Sequence, residues 1–113
     1  MGTLEMIIGT RLLQATVGGG SVAIPVSLYL PTATGRSWAC MFTIGWPGGE
    51  DSGQAMGADA LQAMRLAQQM VAIRLYASEL HKDGALSWGD EPGYGFPLHP
   101  NSRDLAVGGD RFI

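Results

Sequence analysis

A chain of 113 residues, of which 46% are hydrophobic and 15% charged, has the size of one domain and enough apolar side chains for a core. Disorder along the whole chain is therefore excluded. A net charge of −3, with seven scattered cations, argues against a nucleic-acid partner. No apolar run approaches the about 20 residues of a membrane span, and no signal-peptide pattern begins the chain. We expect one cytoplasmic domain over residues 1–113.

The first half of the chain has the pattern of strands separated by glycine-rich turns. Residues 6–17 predict a strand, and residues 18–20, all glycine, supply the positive φ angles of a hairpin turn. The strand that follows alternates cleanly, with its apolar side chains at Val22, Ile24, Val26, Leu28 and Leu30. Pro25 has no N–H to donate, so this strand is predicted to lie at a sheet edge or to contain a bulge.

A third strand is predicted over residues 36–46, and it also alternates. Its predicted core face carries Trp38, Cys40, Phe42, Ile44 and Trp46. Residues 47–53 predict a loop, and residues 54–57 a short returning strand. The N-terminal half is therefore predicted to be a three- to four-stranded antiparallel meander.

The clearest predicted element is one long α-helix over about residues 60–82. Asp59 is a good N-cap with Gln62 three residues later, as in a capping box, and Gly84 is the expected C′ residue. On a helical wheel the apolar arc covers more than half of the circumference, while Ala72 and Tyr76 fall on the polar side. Either the chain after the helix or a second protomer must cover the excess.

The C-terminal segment (residues 85–113) opens with a predicted short strand at residues 85–88. An ordered loop of turn residues and aromatics follows, and the tail, residues 111–113, is apolar enough to dock. The predicted fold class is therefore α+β: the meander is packed by one long helix, which a short strand and an ordered loop follow.

Reactive constellations are weak in this sequence. Cys40 could pair as a thiolate with His81 or His99, but it lies mid-strand on the core face, where a buried structural cysteine is favoured. The two histidines lack the spacing of a metal site, and no glycine-rich stretch matches a phosphate loop. We therefore predict no catalytic residue, no cofactor and no metal.

Two acidic pairs on predicted loops have aromatic neighbours. Acidic pairs in such loops are usually only solvated, but aromatic side chains rimmed by carboxylates also suit an interface with a basic protein. The predicted partner-binding residues are Trp46, Glu50 and Asp51 in the first group, and Trp88, Asp90, Glu91, Tyr94 and Phe96 in the second.

Arg74 falls inside the apolar arc of the predicted helix. Either its stem packs while its guanidinium reaches solvent, or it forms a buried ion pair with Asp90 or Glu91. Both interpretations give Arg74 a structural role, like those of Asp59 and Gly84 at the two ends of the helix.

Three short stretches carry a resemblance to a known family. They are residues 56–64 at the start of the helix, residues 86–88 (Leu-Ser-Trp) and residues 95–97 (Gly-Phe-Pro). The chain resembles a family of small uncharacterised bacterial domains, in which a G-x-D-[AS]-L-Q-A helix start precedes a G-F-P loop. The resemblance implies one helix across an antiparallel sheet, and it implies no activity, cofactor or catalytic residue.

Three functions are compatible with this sequence. The first is a non-enzymatic binding protein of the immunity or inhibitor type with a protein partner of basic character. The alternative is a self-associating structural or accessory domain, such as a homodimer. The third is a small enzyme or ligand-binding domain, with a site near the C-terminal loop that uses His99, Asp90 and Glu91.

Overall fold

The computed structural model describes residues 6–113 and has the predicted α+β class. The strands are β1 (Ile7–Val17), β2 (Gly20–Tyr29), β3 (Thr32–Thr34), β4 (Ser37–Trp46), β5 (Gly49–Gly57) and β6 (Leu86–Ser87). The helices are α1 (Ala60–Ala77) and α2 (Glu79–Lys82), and two 3₁₀ helices follow at Pro100–Leu105 and Gly108–Phe112.

The strands form one mainly meandering antiparallel sheet. In it β1 neighbours β2 and β6, β2 pairs with β4, and β4 also pairs with β3 and β5. The first turn is the predicted one, since β1 ends at Val17, β2 begins at Gly20, and both residues between them have positive φ. The meander predicted for the N-terminal half is confirmed, and the short strand after the helix adds to it at β1.

The returning strand is longer than the sequence predicted. β5 pairs with β4 from Trp46↔Gly49 to Trp38↔Gly57, so the turn between them contains only residues 47 and 48. The prediction of a loop over residues 47–53 is wrong. Glu50 and Asp51 therefore lie on a strand, because backbone pairing with β4 outweighs the low strand propensity of Gly, Glu and Asp.

Pro25 does not mark a sheet edge, because β2 has β1 and β4 as its neighbours. The described β2–β4 register begins one residue later, at Val26↔Ile44. A Cβ atom on Gly45 would lie 2.9 Å from Cγ of Pro25. A proline is thus accepted in an interior strand where the neighbouring strand has a glycine and pairing stops.

The chain divides into two compact units, which are described separately. The first contains Pro25–Ala67 with the N-terminal residues through Arg11, and the second contains Leu12–Ile24 and Gln68–Ile113. The core of the first unit includes the predicted face of β4, where Cys40, Phe42 and Ile44 are fully buried. The core of the second includes Leu13, Ile24, Val71, Leu75, Tyr76, Tyr94, Phe96 and Leu98.

The helix begins where the sequence predicted. The amide of Gln62 donates to Oδ1 of Asp59 at 2.8 Å, and Oε1 of Gln62 accepts from the amide of Ala58 at 2.6 Å. This reciprocal pair is a variant of the capping box, because the returning bond reaches the residue before the N-cap. Asp59 therefore accepts a hydrogen bond from the first turn of α1.

The helix is not continuous over residues 60–82. α1 ends at Ala77, and Ser78 is extended with φ −72° and ψ 151°. The Ser78 hydroxyl donates to the carbonyl of Leu75 at 2.7 Å and accepts from the amide of His81 at 3.1 Å, so it caps the short α2. A serine that competes for backbone hydrogen bonds interrupts the helix here. Gly84, with φ +69°, then ends α2 as predicted.

The buried face of α1 differs from the helical-wheel prediction. Ala72 and Tyr76, placed on the polar side, are buried, whereas Ile73, which falls in the apolar arc, is 38% exposed. In the second unit the ring of Tyr76 lies 5.4 Å from that of Tyr94, centroid to centroid. The C-terminal segment therefore covers this side of the helix, which a wheel that assumes one buried face cannot show.

Candidate functional site

The centre of the C-terminal segment is a buried carboxylate, that of Asp110, which is only 3% exposed. Its Oδ2 accepts from the hydroxyl of Tyr76 at 2.7 Å and from the amide of Tyr94 at 2.8 Å. Its Oδ1 accepts from the amide of Gly95 at 2.7 Å. No cation of residues 6–113 lies within ion-pair distance, so neutral donors alone hold this carboxylate.

Two tyrosines and a histidine extend the hydrogen bonds from Asp110. The Tyr76 hydroxyl accepts from the amide of Val107 at 3.1 Å, and the Tyr94 hydroxyl is hydrogen-bonded to Nδ1 of His81. Burial, with the negative charge of Asp110 nearby, raises the pKa of Tyr94 to about 12. The same two causes raise the pKa of Tyr76, and its shift is larger than that of Tyr94. Both hydroxyls therefore remain protonated at neutral pH and are available as donors.

Two glycines allow the segments around Asp110 to touch. Gly93 has φ +100°, and a Cβ atom there would lie 2.7 Å from Oδ1 of Asp110. Gly108 has φ +57°, and its Cβ atom would overlap the carbonyl oxygen of Pro92. Only glycine meets both requirements, a positive φ and no side chain, at this approach.

A cleft of about 540 Å³ opens beside this cluster in the second unit. Its walls include Trp88, Pro92 and Ile113, and the carboxylates of Asp90 and Glu91 also line it. Trp88 is 40% exposed, and the backbones of Trp88 and Glu91 form an isolated antiparallel bridge that shapes the turn between them. Asp110 lines the same cleft.

A smaller cleft of about 330 Å³ shares the turn at residues 89–93 with the first. His81 and Tyr94 line it together with Asp90 and Glu91. The titratable side chains among the residues that line this smaller cleft are thus these two pairs. His99 is not among them: it is exposed, and its Nδ1 accepts from the amide of Asn101 at 3.1 Å as a cap of the first 3₁₀ helix.

The structure brings together three of the five predicted partner-binding residues in this region, namely Trp88, Asp90 and Glu91. Tyr94 and Phe96 are only 4% and 6% exposed, so they do not form an exposed aromatic rim. Their rings belong to the core of the second unit because the amides of Tyr94 and Gly95 are bound to Asp110. Phe112 is the reverse case: it was expected to dock and is 84% exposed.

The other predicted group lies in the first unit, at the hairpin between β4 and β5. Trp46 is half-buried and pairs with Gly49, and Glu50 and Asp51 pair with Gly45 and Ile44. The three residues are therefore held by the strand ladder, and none of them lines either cleft.

Arg74 and Cys40 differ in their burial. Arg74 is partly buried on α1. Cys40 is fully buried, its thiol donates to the carbonyl of Tyr29 at 3.4 Å, and burial raises its pKa, which favours the unreactive thiol. The structural interpretation of Cys40 is confirmed.

Sequence reasoning missed Asp110, Tyr76 and the role of His81. A lone acid among glycines near the end of a chain has no motif, and helix position alone made His81 a cation at a C-terminus. One signal in the sequence could have pointed to Tyr76. Ala72, a small apolar residue, lies on the predicted polar side of the helix together with Tyr76, which indicates that part of this side is covered. Paired glycines at 93 and 95, and at 108 and 109, also mark two segments of unusual backbone.

Other kinds of site find no support in the described part of the chain. Within residues 6–113, no three His, Cys, Asp or Glu side chains come close enough to hold a metal ion. Over the same residues, no helix has the length and apolar character to cross a membrane.

The family comparison covers most of the chain. A family model described as "Domain of unknown function (DUF6968)" matches residues 9–98. The chain belongs to this family. The DUF6968 match contains the helix start and the Gly-Phe-Pro loop on which the resemblance depended, and it contains Trp88, Asp90 and Glu91 but not Asp110. Neither a curated protein nor a solved structure matches the chain significantly.

Proposed function

We propose that this domain is a non-enzymatic binding protein, of the inhibitor or immunity type, that binds a basic partner protein through the larger cleft. One observation carries the proposal: an exposed tryptophan, Trp88, and two carboxylates, Asp90 and Glu91, line the same apolar cleft. A tryptophan anchor in a pocket with charged groups beside it is the usual composition of an interaction hot spot.

The support beneath the cleft also suits binding. Asp110 fixes the amides of Tyr94 and Gly95, and Gly93 packs directly on its carboxylate. A surface that is already ordered loses little conformational entropy when a partner binds. The cleft is therefore suited to tight binding without rearrangement.

An enzymatic role has weaker support. The His81–Tyr94 pair lies at the smaller cleft, but the raised pKa of Tyr94 keeps its hydroxyl protonated at neutral pH, so no tyrosinate is present to act as a base, and Nδ1 of His81 is already engaged. A cytoplasmic location remains part of the proposal. It is supported by the single cysteine, whose thiol is buried.

The proposal is tested by capture of partners from the native host. Immobilised wild-type protein should retain one protein in stoichiometric amount. Trp88→Ala and the double variant Asp90→Asn/Glu91→Gln should lose it, while their circular dichroism spectra stay unchanged.

Matched controls come from the first 3₁₀ helix, where Leu105 and Asp104 are exposed and line neither cleft. Leu105→Ala and Asp104→Asn should retain the partner. Equal retention by the cleft variants, or no stoichiometric partner at all, would contradict the proposed function.

Self-association is the second candidate, and the specific observation that favours it is the exposure of Leu61 (76%) and Phe112 (84%). Self-association would remove these apolar side chains from water. Sedimentation equilibrium at micromolar concentrations distinguishes the two candidates. A dimer that Leu61→Ser or Phe112→Ser dissociates would support self-association, and a wild-type monomer would exclude it at these concentrations.

A further inference from the structure

We infer that the larger cleft receives the guanidinium group of an arginine side chain supplied by the partner. The inference rests on the proposed function, because it specifies which chemical group of a basic protein the cleft recognises.

The first argument is the charge of the cleft. Asp90 and Glu91 are exposed, and neither has an ion-pair partner among residues 6–113. Asp110, whose carboxylate is buried, also lines the cleft, and none of the lining residues is Lys, Arg or His. Three carboxylates without a compensating cation give the cleft a negative potential, so an anionic ligand is disfavoured and a cationic one is attracted.

The second argument is the apolar surface beside these charges. Trp88, Pro92 and Ile113 also line the cleft and give it apolar surface, which forms no hydrogen bonds with water. A guanidinium is planar and weakly hydrated, so it stacks on an indole face at little desolvation cost. A lysine ammonium is strongly hydrated and lacks a flat face, which makes it the poorer occupant of the same walls.

The third argument is the arrangement of the acceptors. Asp90 and Glu91 are adjacent in the turn that the Trp88–Glu91 bridge closes, so both carboxylates belong to one short, constrained segment. The fork of a guanidinium donates two parallel hydrogen bonds to a carboxylate. A purely apolar side chain would instead remove water from the carboxylates and would offer no hydrogen bonds in place of those that the water had made.

The test uses three capped tripeptides and the intact protein labelled with ¹⁵N. Acetyl-Gly-Arg-Gly-amide should cause saturable chemical-shift changes at the Trp88 indole N–H and at the amides of residues 89–95. The citrulline peptide, which keeps the shape and loses the charge, should bind at least about tenfold more weakly, a difference of about 1.4 kcal/mol. The lysine peptide should also bind more weakly than the arginine peptide.

Variants separate this site from general attraction to an acidic protein. Asp90→Asn/Glu91→Gln and Trp88→Ala should each weaken the arginine peptide about tenfold or more, whereas Asp104→Asn should leave its affinity unchanged. Absence of saturable shifts, equal binding of the citrulline or lysine peptide, or shifts outside the cleft would overturn the inference.

Failure of this inference is distinguishable from failure of the proposed function. If the arginine peptide does not bind but partner capture still requires Trp88, the binding function stands and only the guanidinium assignment is wrong. If neither the peptide binds nor the cleft variants affect capture, both are wrong.

Discussion

The strands of the first unit and the C-terminal segment are held together by different kinds of interaction. β4 pairs with β5 along its whole described ladder and buries an alternating apolar face, so its stability is distributed over many similar contacts. The C-terminal segment has little regular structure, and one carboxylate, that of Asp110, accepts from three donors that lie 15, 16 and 34 positions before it in sequence. The order of the regular region thus rests on many side chains, whereas the local order of the C-terminal segment depends on the carboxylate of Asp110.

The largest expected effect is in the regular region. Phe42 is fully buried in the first unit, so Phe42→Ala should lower the free energy of unfolding by about 3–5 kcal/mol through lost burial and a cavity. Urea denaturation followed by circular dichroism measures this loss. Met56→Ala on the exposed side of β5 is the control and should cost less than about 1 kcal/mol. Equal losses from both variants would show that the alternation does not determine the core.

Asp110→Ala tests the other side of the comparison. It removes the acceptor of three hydrogen bonds, and each buried donor left unsatisfied costs about 1–3 kcal/mol, so we expect a loss of about 3 kcal/mol. Asp104→Ala, an exposed acid on a neighbouring turn, should stay within about 0.5 kcal/mol of wild type.

Hydrogen exchange locates the effect of Asp110→Ala. Protection at the amides of Tyr94 and Gly95 should be lost even under conditions where the strand amides of β4 remain protected. Retained protection at these two amides would mean that Asp110 does not organise the segment.

Two adjacent glycines test whether the C-terminal segment depends on a few specific close contacts. Gly108→Ala should destabilise the protein by at least about 2 kcal/mol, because the residue has φ +57° and its Cβ atom would overlap the carbonyl of Pro92. Gly109→Ala should be nearly neutral, since nothing lies within 4 Å of the Cβ position. Thermal melting of the two variants measures the difference, and similar melting temperatures would contradict the close approach.

The smallest expected effect is a pH dependence that comes from Tyr94. Its pKa is about 12 in the folded protein against a usual value of 10.0, so between these values the unfolded chain releases a proton that the folded protein retains. This contribution to stability is complete below pH 10 and is lost as the pH rises toward 12. Between pH 9 and pH 11, the free energy of unfolding should decline less steeply for Tyr94→Phe than for wild type. Parallel curves would show that Tyr94 is not the source of the pH dependence.

The predictable parts of the fold are those that repeat. Alternation in β4 identified Cys40, Phe42 and Ile44 as core residues, and Asp59 and Gly84 marked the ends of the helical region, because these signals depend only on neighbours in sequence. Local sequence patterns did not predict features that depend on contacts with other parts of the chain or on a single side-chain hydrogen bond. The ladder with β4 extended β5 through Glu50 and Asp51, and the hydroxyl of Ser78 interrupted a helix whose composition predicts continuity.

The candidate site was half predictable for the same reason. Trp88, Asp90 and Glu91 are consecutive or nearly so, and an aromatic residue beside two acids can be recognised in the sequence. The contact of Asp110 with Tyr76 joins residues 34 positions apart, and no pattern encodes a pair at that distance. Tyr94 and Phe96 were consequently expected at the surface, although the amides of Tyr94 and Gly95 donate to Asp110 and both aromatic side chains are buried.

The position of Asp110 affects how a domain of this family should be delimited for expression. The family match ends at residue 98, and the carboxylate that satisfies Tyr76, Tyr94 and Gly95 lies beyond that boundary. A fragment cut where the sequence similarity stops would keep the whole sheet and both helices yet leave these donors without their acceptor. A domain bounded by sequence similarity alone would therefore be less stable than the longer chain, and the cause would lie outside the shared sequence.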